Sequence, residues 1–235
     1  MSILFVHGSQ SDRRVWDALI ALAPSDTHTV SFDLPDHGTA PAQPTPAIEP
    51  LRRALLAQVK ALPEGPVVLV GHSLGAFLIA TAAPKFSRPI DHFFLISGYA
   101  FLHPEDREVY GKMADGLEGG RLDLEFLREM ALEVALGERH DRPELHPLVA
   151  EMQKMPFERA VRSLRRGLEM GAPGAGAYEV PTTVIHGRDD AAIRFALSEE
   201  LANLGTRAEL IGFDTDSHLL PLTHPKELAE LIFSS

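Results

Sequence analysis

Gly71-His72-Ser73-Leu74-Gly75 follows the apolar run Pro66-Val67-Val68-Leu69-Val70 and precedes a helical pattern from Ala76 to Phe86. The apolar run reads as a buried strand, and Phe77, Ala80 and Thr81 mark an apolar stripe on the helix. A Gly-x-Ser-x-Gly stretch between a strand and a helix sets the serine on a sharp turn, its hydroxyl pushed out over the end of a sheet. The flanking glycines are needed because a Cβ at either position would clash. The pentapeptide alone is a weak signal; its setting makes Ser73 a candidate nucleophile.

Working outward, short β-rich runs alternate with helical patterns. Ile3 to Val6 is a candidate strand, followed by a helix from about Asp12 to Ala23 with Val15, Trp16, Leu19 and Leu22 on one face. Thr29 to Phe32 is a second strand, and a loop rich in Pro and Ala leads to a helix carrying Leu51, Leu55, Val59 and Leu62. Beyond the strand before Ser73, further strands are expected at His92 to Ser97, Val180 to His186 and Glu209 to Phe213, with helices at Ile193 to Leu204 and Pro225 to Phe233. Such alternation predicts an α/β fold: a mainly parallel sheet of about six strands with helices on both faces.

Between about residues 100 and 177 the rhythm breaks, and only helical patterns are visible. Phe126, Met130 and Val134 line one face of a helix ending at Gly137, and Phe157, Val161, Leu164 and Leu168 line another. The segment closes on the hinge-like run from Gly171 to Ala177. The expectation is a core made of residues 1–99 and 178–235, with residues 100–177 inserted as a helical layer over the sheet. Five of the six methionines fall in the insertion. They read either as filler between helices or as an adaptable apolar pocket wall, with Met113, Met130 and Met155 as substrate-binding candidates.

Composition narrows the class. With 235 residues, 45% hydrophobic and 23% charged, the chain matches a globular protein. A net charge of −11 argues against nucleic-acid or anionic-membrane partners, since no basic excess exists to release counterions. The absence of cysteine excludes disulfides, thiolate metal sites and a cysteine nucleophile. No basic region precedes Ile3-Leu4-Phe5-Val6, and no apolar stretch is long enough to span a bilayer, so a soluble, cytoplasmic protein is expected.

A serine hydroxyl needs a base within reach, and the base needs an orienting partner. Both belong at the C-terminal ends of later strands, where His186-Gly187-Arg188-Asp189-Asp190 and Asp214-Thr215-Asp216-Ser217-His218 stand. Among eleven histidines, His218 alone follows a strand in a loop before the final helix. His186 reads as an organiser of its turn and His224 as a helix-start residue; His92, His103, His140 and His146 read as surface or satisfied core residues. Asp190 is preferred over Asp189, which reads as a brace for the turn. The order Ser73, Asp190, His218 is that of a nucleophile-elbow enzyme. Oxyanion donors are expected at the amide of Leu74 and, after the first strand, at Ser9 in His7-Gly8-Ser9.

Over nearly its whole length the chain resembles the α/β-hydrolase superfamily. The resemblance rests on His7-Gly8 with Trp16, on Phe32-Asp33-Leu34-Pro35-Asp36-His37-Gly38, on Gly71-His72-Ser73-Leu74-Gly75, on His186-Gly187-Arg188-Asp189-Asp190 and on Ser217-His218. It implies Asp190 as acid, His218 as base, Ser9 as second oxyanion donor and residues 100–177 as the cap. Two departures stand out: Asp36 occupies the usual place of a glycine, and the chain starts directly at the His-Gly strand. A serine nucleophile separates it from members that use aspartate, and implies a serine esterase acting on a small or medium carboxylic ester with no cofactor and no metal. The same three residues also serve C–C bond, thioester or amide hydrolysis and lyase chemistry in this superfamily. A ligand-binding member without turnover is a further alternative.

Overall fold

Ile3 and Phe5 face one side of β1 (Ser2–Val6) and Leu4 and Val6 the other, and all four are fully buried. A strand buried on both faces belongs in the middle of a covered parallel sheet. In the computed structural model, which describes residues 1–137, 142–171 and 176–234, β1 is joined by β2 (His28–Phe32), β3 (Val67–His72), β4 (His92–Ile96), β5 (Thr182–Gly187) and β6 (Ala208–Phe213). All pairings are parallel, in the order β2-β1-β3-β4-β5-β6.

Helices cover both faces. On one side α2 (Glu49–Ala61), α3 (Leu74–Ala82) and α8 (Phe195–Leu204) pack Leu51, Leu55, Val59, Phe77, Leu197 and Leu201 against Leu4, Val6, Leu69 and Leu95. On the other, α1 (Asp17–Ile20), α9 (Leu220–Thr223) and α10 (Pro225–Phe233) pack Leu19, Leu220, Leu228 and Ile232 against Ile3, Phe5, Phe94 and Ile185. Trp16, just before α1, packs on Phe5 with the rings tilted and their centres 5.2 Å apart. Each such side chain contributes about 1.5–3 kcal/mol on burial.

Among the described residues, four helices lie between β4 and β5: α4 (Pro104–Glu118), α5 (Leu124–Leu136), α6 (His146–Gln153) and α7 (Phe157–Leu168). They form the cap. Ala114 and Leu117 of α4 pack on Val161 and Leu164 of α7, giving the cap a small core of its own.

Several expectations need correction. The helix foreseen from Asp12 to Ala23 is one 3-10 turn, Arg13–Trp16, followed by the four-residue α1. Leu22 lies past its end and is 44% exposed, since Pro24 disfavours helix in the residue before it. The helix after Ser73 begins earlier, at Leu74, and stops at Ala82, because Pro84 turns Ala83–Lys85 into a 3-10 turn. It carries no stripe, for all of Leu74–Ala82 is buried. In α5 the inward face runs through Leu127, Ala131 and Val134 with Met130 beside it, leaving Phe126 exposed. Phe157 and Leu168 are likewise exposed, at the two ends of α7. The hinge-like run lies partly outside the described residues, at 172–175, as does His140.

Candidate active site

The sheet order reverses at β1, which has β2 on one side and β3 on the other. In open parallel sheets, the crevice beyond the carboxyl ends of the strands at such a point is where ligands bind. Ser73 stands there, between β3 and α3, with φ +52° and its amide donating to Ile96 O at 2.8 Å. The turn is tight enough to demand its glycines. A Cβ on Gly75 would fall 2.1 Å from Val6 O, and one on Gly71 would fall 2.7 Å from Ala76 N. Leu74 is the first residue of α3, so its amide has no acceptor within the helix.

The loop after β1 closes over the same turn. A Cβ on Gly8 would lie 2.8 Å from His72 Nδ1 and 3.1 Å from Ser73 Cβ. His7 fixes this loop: its Nε2 accepts from the Leu34 amide at 2.9 Å, so the proton sits on Nδ1 and is donated to Gly8 O at 2.8 Å. Burial lowers the pKa of His7, consistent with this neutral ring. Ser9 and Ser73 line one small cavity of about 140 Å³, which His218 also lines.

His218, in the loop between β6 and α9, donates Nδ1–H to Asp190 Oδ2 at 2.7 Å. Asp190 follows β5, is 6% exposed, and accepts the amides of Ala192 (2.8 Å) and Ile193 (3.0 Å) on Oδ1. Burial opposes its ionisation, but the imidazoles of His218 and His186 outweigh that and hold the carboxyl well below the usual carboxylate range. Asp189 is exposed.

Three groups hold the His218 backbone. Its carbonyl oxygen accepts from His72 Nε2 at 2.9 Å and from the Ser97 hydroxyl at 3.1 Å. From the cap, the Ala135 carbonyl takes the amides of His218 and Leu219, each at 3.0 Å. The His72 ring lies against that of His218, tilted by 54° with ring centres 4.8 Å apart, and burial, reinforced by that neighbour, lowers the pKa of His72 to about 3.

Under the cap, the small cavity adjoins a larger one of about 410 Å³ and shares wall residues with it. Tyr110, Ala131, Val134, Gln153, Ala192 and Ile193 line both, while Met113, Met130 and Met155 line the larger. Its wall is mainly apolar, with Leu102, Leu117, Leu124 and Leu164 contributing. Among the described residues, no group of His, Asp and Glu side chains is arranged to hold a metal ion, and no helix is long and apolar enough to cross a membrane.

The structure therefore brings Ser9, Ser73, Leu74, Asp190 and His218 to one crevice, with the three methionines in the adjoining chamber. Sequence reasoning missed His72, Ser97 and Ala135, which hold His218 through backbone contacts that no motif encodes. It read His186 as a turn organiser. That ring does bond Ile193 O across the turn at 3.0 Å, but it also reaches Asp190 Oδ2 at 2.9 Å, and the four-residue spacing from Asp190 was the available signal. Asp36, where the resemblance expects glycine, keeps a left-handed φ of +70° and sends its carboxylate to Arg162 Nη2 (2.8 Å) and Arg166 Nη2 (2.9 Å) of α7.

A wholly parallel six-stranded sheet with this cap insertion, and a serine on a strained strand-to-helix turn, defines an α/β hydrolase. The chain belongs to the Alpha/beta hydrolase family, which matches residues 3–231. It is 30% identical to a pimeloyl-[acyl-carrier protein] methyl ester esterase of Aromatoleum aromaticum, over 98% of this chain and 96% of the relative. It is 23% identical to an (E)-2-((N-methylformamido)methylene)succinate hydrolase of Acinetobacter baylyi, over 96% of this chain and 86% of the relative. In fold it is similar to the enol-lactonase from Burkholderia xenovorans LB400, with TM-score 0.84 and 19% identity over 99% of this chain and 90% of the other.

Proposed function

We propose that the protein is a serine carboxylesterase that cleaves a small or medium ester through an acyl-enzyme, with Ser73 as nucleophile, His218 as base and Asp190 as orienting acid. The observation that carries this reading is the 2.7 Å bond from His218 Nδ1 to Asp190, in a cavity that His218 shares with Ser73. With its proton committed to the carboxylate, His218 keeps the Nε2 lone pair free to take the Ser73 proton as the hydroxyl attacks the ester carbonyl. The amides of Leu74 and Ser9 receive the developing oxyanion, each worth about 2.7–4 kcal/mol to the transition state. His218 then protonates the leaving alcohol, and a water activated by the same ring releases the acid.

The acyl chain enters the chamber lined by Met113, Met130 and Met155, and its apolar wall favours an unbranched hydrocarbon chain over a polar one. Resemblance to a relative whose name specifies a pimeloyl methyl ester supports a medium chain. The test is steady-state hydrolysis of p-nitrophenyl acetate, butyrate, hexanoate and octanoate. The reading expects turnover that rises from acetate to a medium chain; no turnover of any ester by folded protein contradicts it.

A further inference from the structure

Asp190 Oδ2 serves two imidazoles. His218 Nδ1 lies 2.7 Å from it and His186 Nε2 lies 2.9 Å from it, and the side chain of His186, like that of Asp190, is fully buried. The protonation of His186 at Nε2 follows from its partners, because Asp190 Oδ2 and Ile193 O (3.0 Å) are both acceptors. Behind the ring, Ser198 Oγ sits 2.6 Å from Nδ1 and 2.8 Å from Gly98 O, anchoring the imidazole to α8 and to the end of β4. Asp190 thus takes two amides on one oxygen and two imidazoles on the other, which fills the acceptor sites of a carboxylate.

We infer that His186 is a positioning residue for the reaction, a second hydrogen-bond donor that shares Asp190 Oδ2 with His218 and so weakens the pull of that carboxylate on the proton of the base. The inference rests on the proposed roles of Ser73, His218 and Asp190. A carboxylate oxygen whose charge is divided between two N–H donors stabilises a cation on either one less than a carboxylate serving one donor. His186 therefore keeps His218 available as a base at lower pH than an unshared carboxylate would.

The surroundings leave this effect readable. From β3, His72 faces the cluster, and its burial, to about 3, keeps it neutral. From α4, Tyr110 faces it, pushed up by burial to about 12 and likewise neutral. Phe195 of α8 stands between His186 (ring centres 5.7 Å apart) and the exposed Arg188, whose guanidinium lies 5.4 Å from the Phe195 ring centre. Ser97 and Ser198 carry no charge, and Asp189, the residue before Asp190, is exposed.

The experiment is the kcat/KM profile for p-nitrophenyl butyrate between about pH 5 and 9, which reports the ionisation of the free enzyme. Wild type is compared with His186→Leu and His186→Gln, each first shown to be folded by near-UV circular dichroism. Removing the donor in His186→Leu moves the midpoint of the acid limb up by about one pH unit. His186→Gln, whose amide replaces the Nε2–H donor, returns it most of the way to wild type. A folded His186→Leu enzyme with an unmoved acid limb overturns the inference, and so does a Gln variant displaced as far as Leu. Should the Leu variant not fold, ¹⁵N-histidine spectra of the wild type decide: a protonated His186 Nε2 whose N–H shift changes in Asp190→Asn supports sharing, and an unprotonated Nε2 overturns it. Failure of the esterase reading is separately visible, as wild-type enzyme without ester turnover or without reaction at Ser73.

Discussion

The two walls of the crevice are built on different principles. On the core side, each candidate group sits at the carboxyl end of a parallel strand: Ser9 after β1, Ser73 after β3, Asp190 after β5, His218 after β6. These positions are fixed by main-chain hydrogen bonds and fully buried side chains such as Phe5, Leu69 and Ile185. On the cap side, α4 to α7 line the larger chamber and meet the core through apolar contacts, with Leu136, Val149 and Met152 packed into the cluster of Ile3, Phe5 and Ile185, and through polar ones. Asp36 holds Arg162 and Arg166, and the Ala135 carbonyl holds the His218 loop. The carboxyl ends of the strands supply the placement that bond making requires, while a helical layer with a small core of its own supplies a pocket that can be reshaped. Under the proposed function, chemistry and selectivity reside largely in separate parts of the chain.

Breaking the core side has the largest consequences. Ser73→Ala is expected to lower kcat by about 10⁴-fold or more while leaving the melting temperature within a few degrees of wild type, since it deletes one oxygen. Asp190→Asn removes the charge that orients His218 and is expected to cost about 10⁴-fold in kcat, with KM little changed.

The cap side is expected to fail through stability and selectivity. Asp36→Ala leaves Arg166, whose side chain is fully buried, without its carboxylate. An unpaired buried charge costs about 3–5 kcal/mol, which thermal unfolding and protease sensitivity of the cap should register. The pH dependence of that loss has a definite sign. Burial raises the Asp36 carboxyl, but hydrogen bonds from Arg162 and Arg166 outweigh it and leave the folded value below the usual one. The latch therefore contributes fully above about pH 4, the ordinary carboxylate value, and fades as pH falls through the lower folded value. The gap in melting temperature between wild type and Asp36→Ala should narrow accordingly in acid. A smaller effect is expected from Met130→Trp, which fills part of the larger chamber. Hydrolysis of the octanoate ester should drop about tenfold in kcat/KM while the acetate ester is nearly unaffected.

The same contrast explains what could be read from the chain beforehand. Strands such as Ile3-Leu4-Phe5-Val6 declare themselves because burial on both faces requires unbroken apolar runs, and Ser73 follows such a run in Val67-Val68-Leu69-Val70. The register of α5 was not legible in the same way. Phe126 and Leu127 are both apolar, and the choice of Leu127 as the inward residue depends on α4 and α7, which contribute Leu117 and Leu164 to the same chamber. Asp36 marked a departure from the family pattern, but its partners lie 126 and 130 residues away in α7. His186 was visible as a strand-end histidine; that its ring turns toward Asp190 follows from Ser198 behind it, on a different helix.

Labelling with a fluorophosphonate followed by peptide mass mapping reports on Ser73 itself, because the reagent needs an activated serine beside a working oxyanion site. The expected result is a single adduct on Ser73, lost in Ser73→Ala and strongly slowed in Asp190→Asn. Labelling of folded protein at another serine, or none at all in protein whose cap has been loosened by Asp36→Ala, would contradict it.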